Sequence, residues 1–315
     1  MDNAITDVKG VKVAHLTIEK DLPSPAGRAA AIRTGLTAVI PYPMEKALRL
    51  FCANLCLKGN AEMTGYEVLD DFCYLNSPVV ITNSFNVGQA YDAVLSYGFA
   101  QNRDEVWPPV IIGLNDSYLN EMTKFSFDEK EILQALFNAK DGKVEQGSVG
   151  AGVGLRAFDW KGGIGTSSRR LLIGGQELTC GVLAASNHGN SDFAEGSLSL
   201  VMATDVPLFP HQIRQVLRAV LAGLGPAQVK TNPAESVSGI FFSTANAMSM
   251  ATERPFVFDY LMIDDSWLER ISAACSEAVL ESIRNSLTKA TAVSGRQGRT
   301  VKPMPEDVQS KVLRI

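Results

Sequence analysis

The chain has 315 residues, of which 46% are hydrophobic and 20% charged, enough apolar material to bury a substantial core. A formal net charge of -5 without any Lys/Arg block excludes a phosphate-tracking surface, because nucleic-acid affinity comes mostly from clustered cations. No span reaches the roughly 20 apolar residues that a bilayer crossing needs, so neither nucleic acid nor membrane is an expected partner.

The N-terminus carries Asp2 and Asp7 where a secretory signal has basic residues, and no apolar h-region follows, so a cytoplasmic protein is expected. Runs 37–41, 79–83 and 110–113 are β-branched and punctuated by Gly, Pro and Asn, which predicts strands of a buried sheet. Residues 128–140 have helical spacing, with Ile132, Leu133, Leu136 and Phe137 on one face. A second helix is predicted over 210–224, with Pro210 near its start, Ile213, Val216, Leu217, Val220 and Leu221 on one side, and Gly225 as a stop. A third follows a cap at Asp264, Asp265 and Ser266. Its stripe of Trp267, Leu268, Ile271, Ala274, Ala278 and Ile283 runs to about Leu287, and the tail 294–299 reads as a loop. There is no low-complexity linker and no repeat, so a single α/β domain over 1–315 is the simplest account.

The five cysteines are scattered without CxxC and read as reduced, buried thiols. His15, His188 and His211 are far apart in sequence, so a metal site would need a tertiary coincidence and no cofactor is expected. Glycines concentrate at 147–154 (GSVGAGVG) and 161–169 (KGGIGTSSR). Neither GxxxxGK[ST] nor GxGxxG between strand and helix is met, since Lys161 precedes its glycines. The glycines either permit tight turns or bring backbone amides and Lys161 beside a reacting carbonyl, and the residues alone favour neither. Two strand-like runs, 181–190 and 197–205, then bracket a short polar loop that ends in Gly196 and Ser197.

Several motifs in order give these features a context: ITDVKGVKV at 5–13, GNAEMTG at 59–65, KGGIGT at 161–166, Gly196-Ser197 followed by ATDVPL at 203–208 and PHQ at 210–212, FSTAN at 242–246, and GRQG at 295–298. Over nearly its whole length the chain resembles the DmpA-type aminopeptidase/amidase family of self-processing hydrolases. The resemblance implies a four-layer αββα fold and synthesis as an inactive chain that cuts itself before a nucleophile. Here the matching bond is Gly196–Ser197, giving fragments 1–196 and 197–315. The hydroxyl attacks the preceding carbonyl, the ester hydrolyses, and the freed α-amine, with a reference pKa of about 7.7–8, then serves as base for the same serine. Asn187 matches the family's active-site Asn, an oxyanion donor, and Lys161 matches its KGG lysine. The implied substrate is a small peptide or amide, and the implied assembly is a homo-oligomer, a tetramer.

The family pattern is not complete. The polar and acidic group expected some 40 residues after the nucleophile reads Glu235, Ser236, Val237, with Val237 at the acid, so Glu235 and Ser236 are the candidates there. The segment that begins with an amine-binding Glu, followed two residues later by a Tyr, reads Gly113 and Asn115 here. Asn115 retains a donor, and Tyr118 is a weaker substrate-binding candidate. These departures point to a self-processed amide hydrolase whose substrate is not anchored mainly by a free amine. Two alternatives stand: a member that has lost hydrolysis and acts as a binding or assembly protein, and an acyltransferase like the related ornithine acetyltransferases.

Overall fold

Alternating apolar residues on paired strands build the frame of the computed structural model, which describes residues 1–23, 30–57, 62–101, 108–122, 126–192, 196–224, 235–249 and 258–312. Residues 59–61 of the GNAEMTG motif, 193–195 of the loop before Ser197, Gly225 and residues 232–234 lie outside that set.

In chain order the main elements are β1 (Lys12–Leu22), β2 (Ala30–Ile40), β3 (Leu48–Leu57), β4 (Glu62–Met63), β5 (Val79–Asn83), α1 (Val87–Ala100), β6 (Val110–Leu114) and α2 (Glu129–Phe137). They continue with β7 (Gly163–Ile173), β8 (Gln176–Asn187), β9 (Ser197–Thr204), α3 (Pro210–Gly223), β10 (Ser236–Ser243) and α4 (Leu268–Thr288). One sheet has the order β1-β2-β5-β6-β4. The other runs β7-β8-β9-β10-β3, with Met248–Ser249 and Tyr74–Leu75 also paired to β3. The parallel pairs β5–β6 and β9–β10 are each bridged by a helix, α1 and α3, as parallel neighbours require a crossover.

The sheets stack face to face with helices outside, α1 and α2 on the first sheet and α3 and α4 on the second, which is the αββα arrangement. One apolar cluster holds Leu36, Ile81 and Ile112 with Leu183, Val201, Ala203, Ile240 and Phe242, so it fills the space between the sheets. The other joins Leu198, Leu200, Val237 and Phe241 to Val216, Leu217, Ile271 and Ile283 of α3 and α4. The period of two then assigns every side chain on β9 and β10 a face. Ser197, Ser199, Ser236 and Ser238 point between the sheets, while Leu198 and Val237 point to the helices.

Local chemistry sets the helix ends. Asp128 accepts from the Glu131 amide (2.9 Å) and Glu131 accepts from the Asp128 amide (3.0 Å), a capping box. Before α4, Asp264 accepts from the Ser266 amide at 3.0 Å. Among the described residues no helix is long and apolar enough to cross a membrane.

Candidate active site

The end of β8 and the starts of β9 and β10 meet at one level: Ser197 pairs with Asn187 on its antiparallel side and with Ser236 on its parallel side. Ser197 is 6% exposed and Ser236 is fully buried, and neither hydroxyl has a hydrogen-bond partner among the described residues. A buried hydroxyl left unpaired costs about 1–3 kcal/mol, so two side by side mark a place kept for function rather than stability. The carbonyl of Gly196 accepts from the Ser236 amide at 3.0 Å. A Cβ at Gly196 would stand 2.3 Å from the Asn187 carbonyl oxygen, so the residue before Ser197 has no room for a side chain.

Asn187 is held from both sides. Its Oδ1 accepts from the Arg156 amide (3.1 Å), and one Nδ2 proton goes to the Asn115 carbonyl (2.7 Å), leaving the second. The loop beyond it is pinned to the hairpin formed by Arg156–Ala157 and Trp160–Lys161. Asn190 donates to the Arg156 carbonyl (3.0 Å) and Phe158 donates to the His188 carbonyl (2.9 Å). Phe158 and Asp159 both have positive φ, 54° and 67°, as a two-residue hairpin turn demands, and Gly189 at φ +75° lies directly against the Phe158 ring.

Lys161 is fully buried. Its Nζ donates to the carbonyls of Gly152 (2.8 Å), Leu155 (3.0 Å) and Gly162 (2.6 Å), which take all three ammonium protons. Burial pulls its pKa down to about 7, and the three acceptors favour the charged form. The lysine thus fastens the glycine-rich segment and does not bond Ser197. Glu235, also fully buried, accepts from the Gly189 amide at 2.7 Å and lies beside Gly196. Val237 faces the helix layer, so an acid at that position on this strand would point away from Ser197. Tyr118 is not brought to the nucleophile's cavity. Its ring lies between the guanidinium groups of Arg156, 3.8 Å from the centroid, and Arg299, 4.7 Å away.

A cavity of about 330 Å³ opens onto the Gly196–Ser197 bond, lined also by Ser84, Phe85, Gly113, Leu114, Asn115, Ser117 and Met122. Asn115 is on its wall, with Oδ1 turned to the Ser117 amide (3.0 Å). The next residue, Asp116, is buried with its pKa raised to about 6 by that burial, and it accepts from Asn120 at 3.0 Å, which fixes the loop. Gly113 adds no group of its own, but the space above it is taken. A Cβ there would lie 2.6 Å from the Glu62 carboxylate and 3.0 Å from the Ser84 hydroxyl. Glu62 pairs with Gly113 across β4 and β6, so its carboxylate lies beside a glycine that lines the cavity. Neither Glu62 nor Ser84 stands out in the sequence: strand pairing brings Glu62 opposite Gly113, and Ser84 opens the 3₁₀ turn that follows β5, the parallel neighbour of β6. The GNAEMTG motif was the one signal available for Glu62.

A serine with an unbonded hydroxyl at the head of a central strand, inside an αββα frame, defines the molecule as a serine-type hydrolase of the N-terminal-nucleophile class. The match to the model of peptidase family S58 extends over residues 3–301, and the chain belongs to that family. It is 30% identical to a beta-peptidyl aminopeptidase of Sphingosinicella microcystinivorans, over 96% of this chain and 86% of the relative. Among solved structures it resembles the L-aminopeptidase D-Ala-esterase/amidase of Ochrobactrum anthropi, a variant of the same nucleophile-hydrolase fold, with TM-score 0.88, 30% identity, and coverage of 99% and 94% of the two chains. A Burkholderia beta-aminopeptidase matches with TM-score 0.88 and 27% identity, over 100% of this chain and 94% of that one.

Proposed function

We propose that the chain cuts itself between Gly196 and Ser197 into fragments 1–196 and 197–315, and that Ser197, now N-terminal, hydrolyses small peptides or amides through an acyl-enzyme. The observation that carries this reading is the unbonded Ser197 hydroxyl, buried at the cavity floor beside a glycyl carbonyl. The freed α-amine, with a reference pKa of about 7.7–8, takes the hydroxyl proton, so no histidine is needed. The second Nδ2 proton of Asn187 is the donor for the substrate oxyanion. The Ser236 hydroxyl, level with Ser197, is the group placed to orient it once the bond is cut. Glu235 and Lys161 position the segments around it.

Glu62 bears on the substrate. Gly113 by itself argues against an amine anchor, but a carboxylate above it suits the free ammonium of an aminopeptidase substrate, in keeping with the relatives' names. Exposed Phe72, Phe99 and Phe137 are apolar surface that a homotetramer would cover, and five free thiols suit the reducing cytoplasm. The test is acid quenching of the processed enzyme during turnover of an activated ester, followed by mass analysis. An acyl adduct mapped by peptide mass analysis to Ser197 of fragment 197–315 supports the mechanism, and an adduct elsewhere refutes it. Adding an amine acceptor and finding acylated amine in place of acid would favour the acyltransferase reading.

A further inference from the structure

We propose that the main-chain N–H of Ser236 is the oxyanion donor of the self-cleavage step, separate from the Asn187 donor that serves the substrate. The proposal rests on cleavage at Gly196–Ser197. Strand side chains stand roughly perpendicular to their sheet, whereas the peptide carbonyls lie within it. The Ser197 hydroxyl therefore rises on the inter-sheet face, above the plane of the Gly196 peptide, while the Gly196 oxygen points along the sheet towards β10. There the Ser236 amide already donates to it at 3.0 Å, within the ~2.7–3.1 Å range that effective oxyanion donors occupy.

The chemistry balances on these atoms. Ser197 Oγ forms a bond to the Gly196 carbonyl carbon, and the π pair moves onto the Gly196 oxygen, where the Ser236 N–H stabilises it. The hydroxyl proton passes through water to the Ser197 nitrogen, the C–N bond breaks, and an ester remains. A water molecule then hydrolyses the ester, leaving the Gly196 carboxylate, the Ser197 hydroxyl and a free amine. Because the donor is bound to the carbonyl that is consumed, it acts once per molecule. The later substrate carbonyl needs a different donor, so the two reactions on one nucleophile use two oxyanion sites.

Several features make the Ser236 amide more than one rung of a ladder. It comes from the first residue of β10, it reaches the last residue before β9, and it lies next to both unpaired hydroxyls. Glu235 immediately before it is tied to the Gly189 amide, which fixes the start of β10 at this level.

The experiment replaces Ser236 in the full chain by its α-hydroxy acid, through nonsense suppression in cell-free translation, so that an ester oxygen replaces the N–H and the side chain is kept. Loss of full-length chain is followed with time by denaturing electrophoresis, beside the wild type and an equivalent exchange at Ser238, which also lies on β10 and pairs with Ser199. The proposal predicts cleavage slowed by ~10²–10³-fold for the Ser236 ester and close to wild-type cleavage for the Ser238 ester. Cleavage of the Ser236 ester at the wild-type rate, or equal slowing by both exchanges, overturns the donor assignment alone. An uncut wild type overturns the processing reading beneath it.

Discussion

At the scale of single residues, the site assigns separable effects to separate groups. On the proposed mechanism, in which Asn187 donates to the substrate oxyanion, Asn187→Ala should lower kcat by ~10²–10³-fold, while orphaning the Arg156 amide at ~1–3 kcal/mol of stability. Steady-state kinetics with a urea titration separates the two losses, and undiminished kcat would remove Asn187 from the mechanism. Glu62→Gln keeps the size of the side chain beside Gly113 and removes its charge. KM should rise about tenfold or more for a substrate with a free amine and stay unchanged for its N-acetylated analogue, the loss expected of one charge-assisted hydrogen bond. Equal effects on both substrates would refute the anchor. Reading along the chain singles out Ser197, Asn187, Glu235 and Ser236 as candidates through the family resemblance, and the fold brings the four together. It could not find Glu62 opposite Gly113, nor learn that Val237 faces the helices, because residue spacing carries neither strand pairing nor sheet face.

Among the elements, those with a clean period or cap were legible. The predicted helix over 210–224 is α3, with Pro210 at its first turn, and the cap at Asp264 leads into α4 through one short 3₁₀ turn. Helix α1 carries no such signal, since Gly88 and Gly98 and the aromatics Tyr91, Tyr97 and Phe99 weaken its helical signature. The close fit of α4 on β7 is equally invisible in sequence. A Cβ at Gly165 would stand 1.8 Å from the Ser282 carbonyl oxygen and 2.5 Å from the Ser286 amide, both backbone atoms that cannot swing aside. Gly165→Ala should therefore destabilise the protein by ~1–3 kcal/mol or more, read as a lower urea midpoint at constant m-value. A wild-type midpoint would show that the helix shifts without cost.

For the whole molecule, strand order decides what self-cleavage does to the fold. Strands β9 and β10 follow Gly196 and lie between β8 and β3, which precede it, so the proposed cut would free a chain end while leaving each fragment built into the other's sheet. Stability also depends on pH through buried imidazole. His188 is fully buried with neither ring nitrogen bonded to any described residue, and burial lowers its pKa to about 4. As pH falls from 6.5 towards 4 the unfolded chain binds a proton there that the folded chain refuses, so stability is lost across that window. His188→Phe should remove ~1 kcal/mol per pH unit from the slope of unfolding free energy between pH 6 and 5. The difference from wild type isolates this group from Asp116, whose raised pKa acts in the opposite sense, and identical slopes would contradict it. The most direct test of the whole account is the intact mass of the freshly purified protein under denaturing conditions, after native chromatography has returned it as a single species. The account predicts two masses, for 1–196 and 197–315, that co-elute until denatured, and a single mass for Ser197→Ala. An active protein of one uncut mass, or a second fragment that begins anywhere but Ser197, would contradict it.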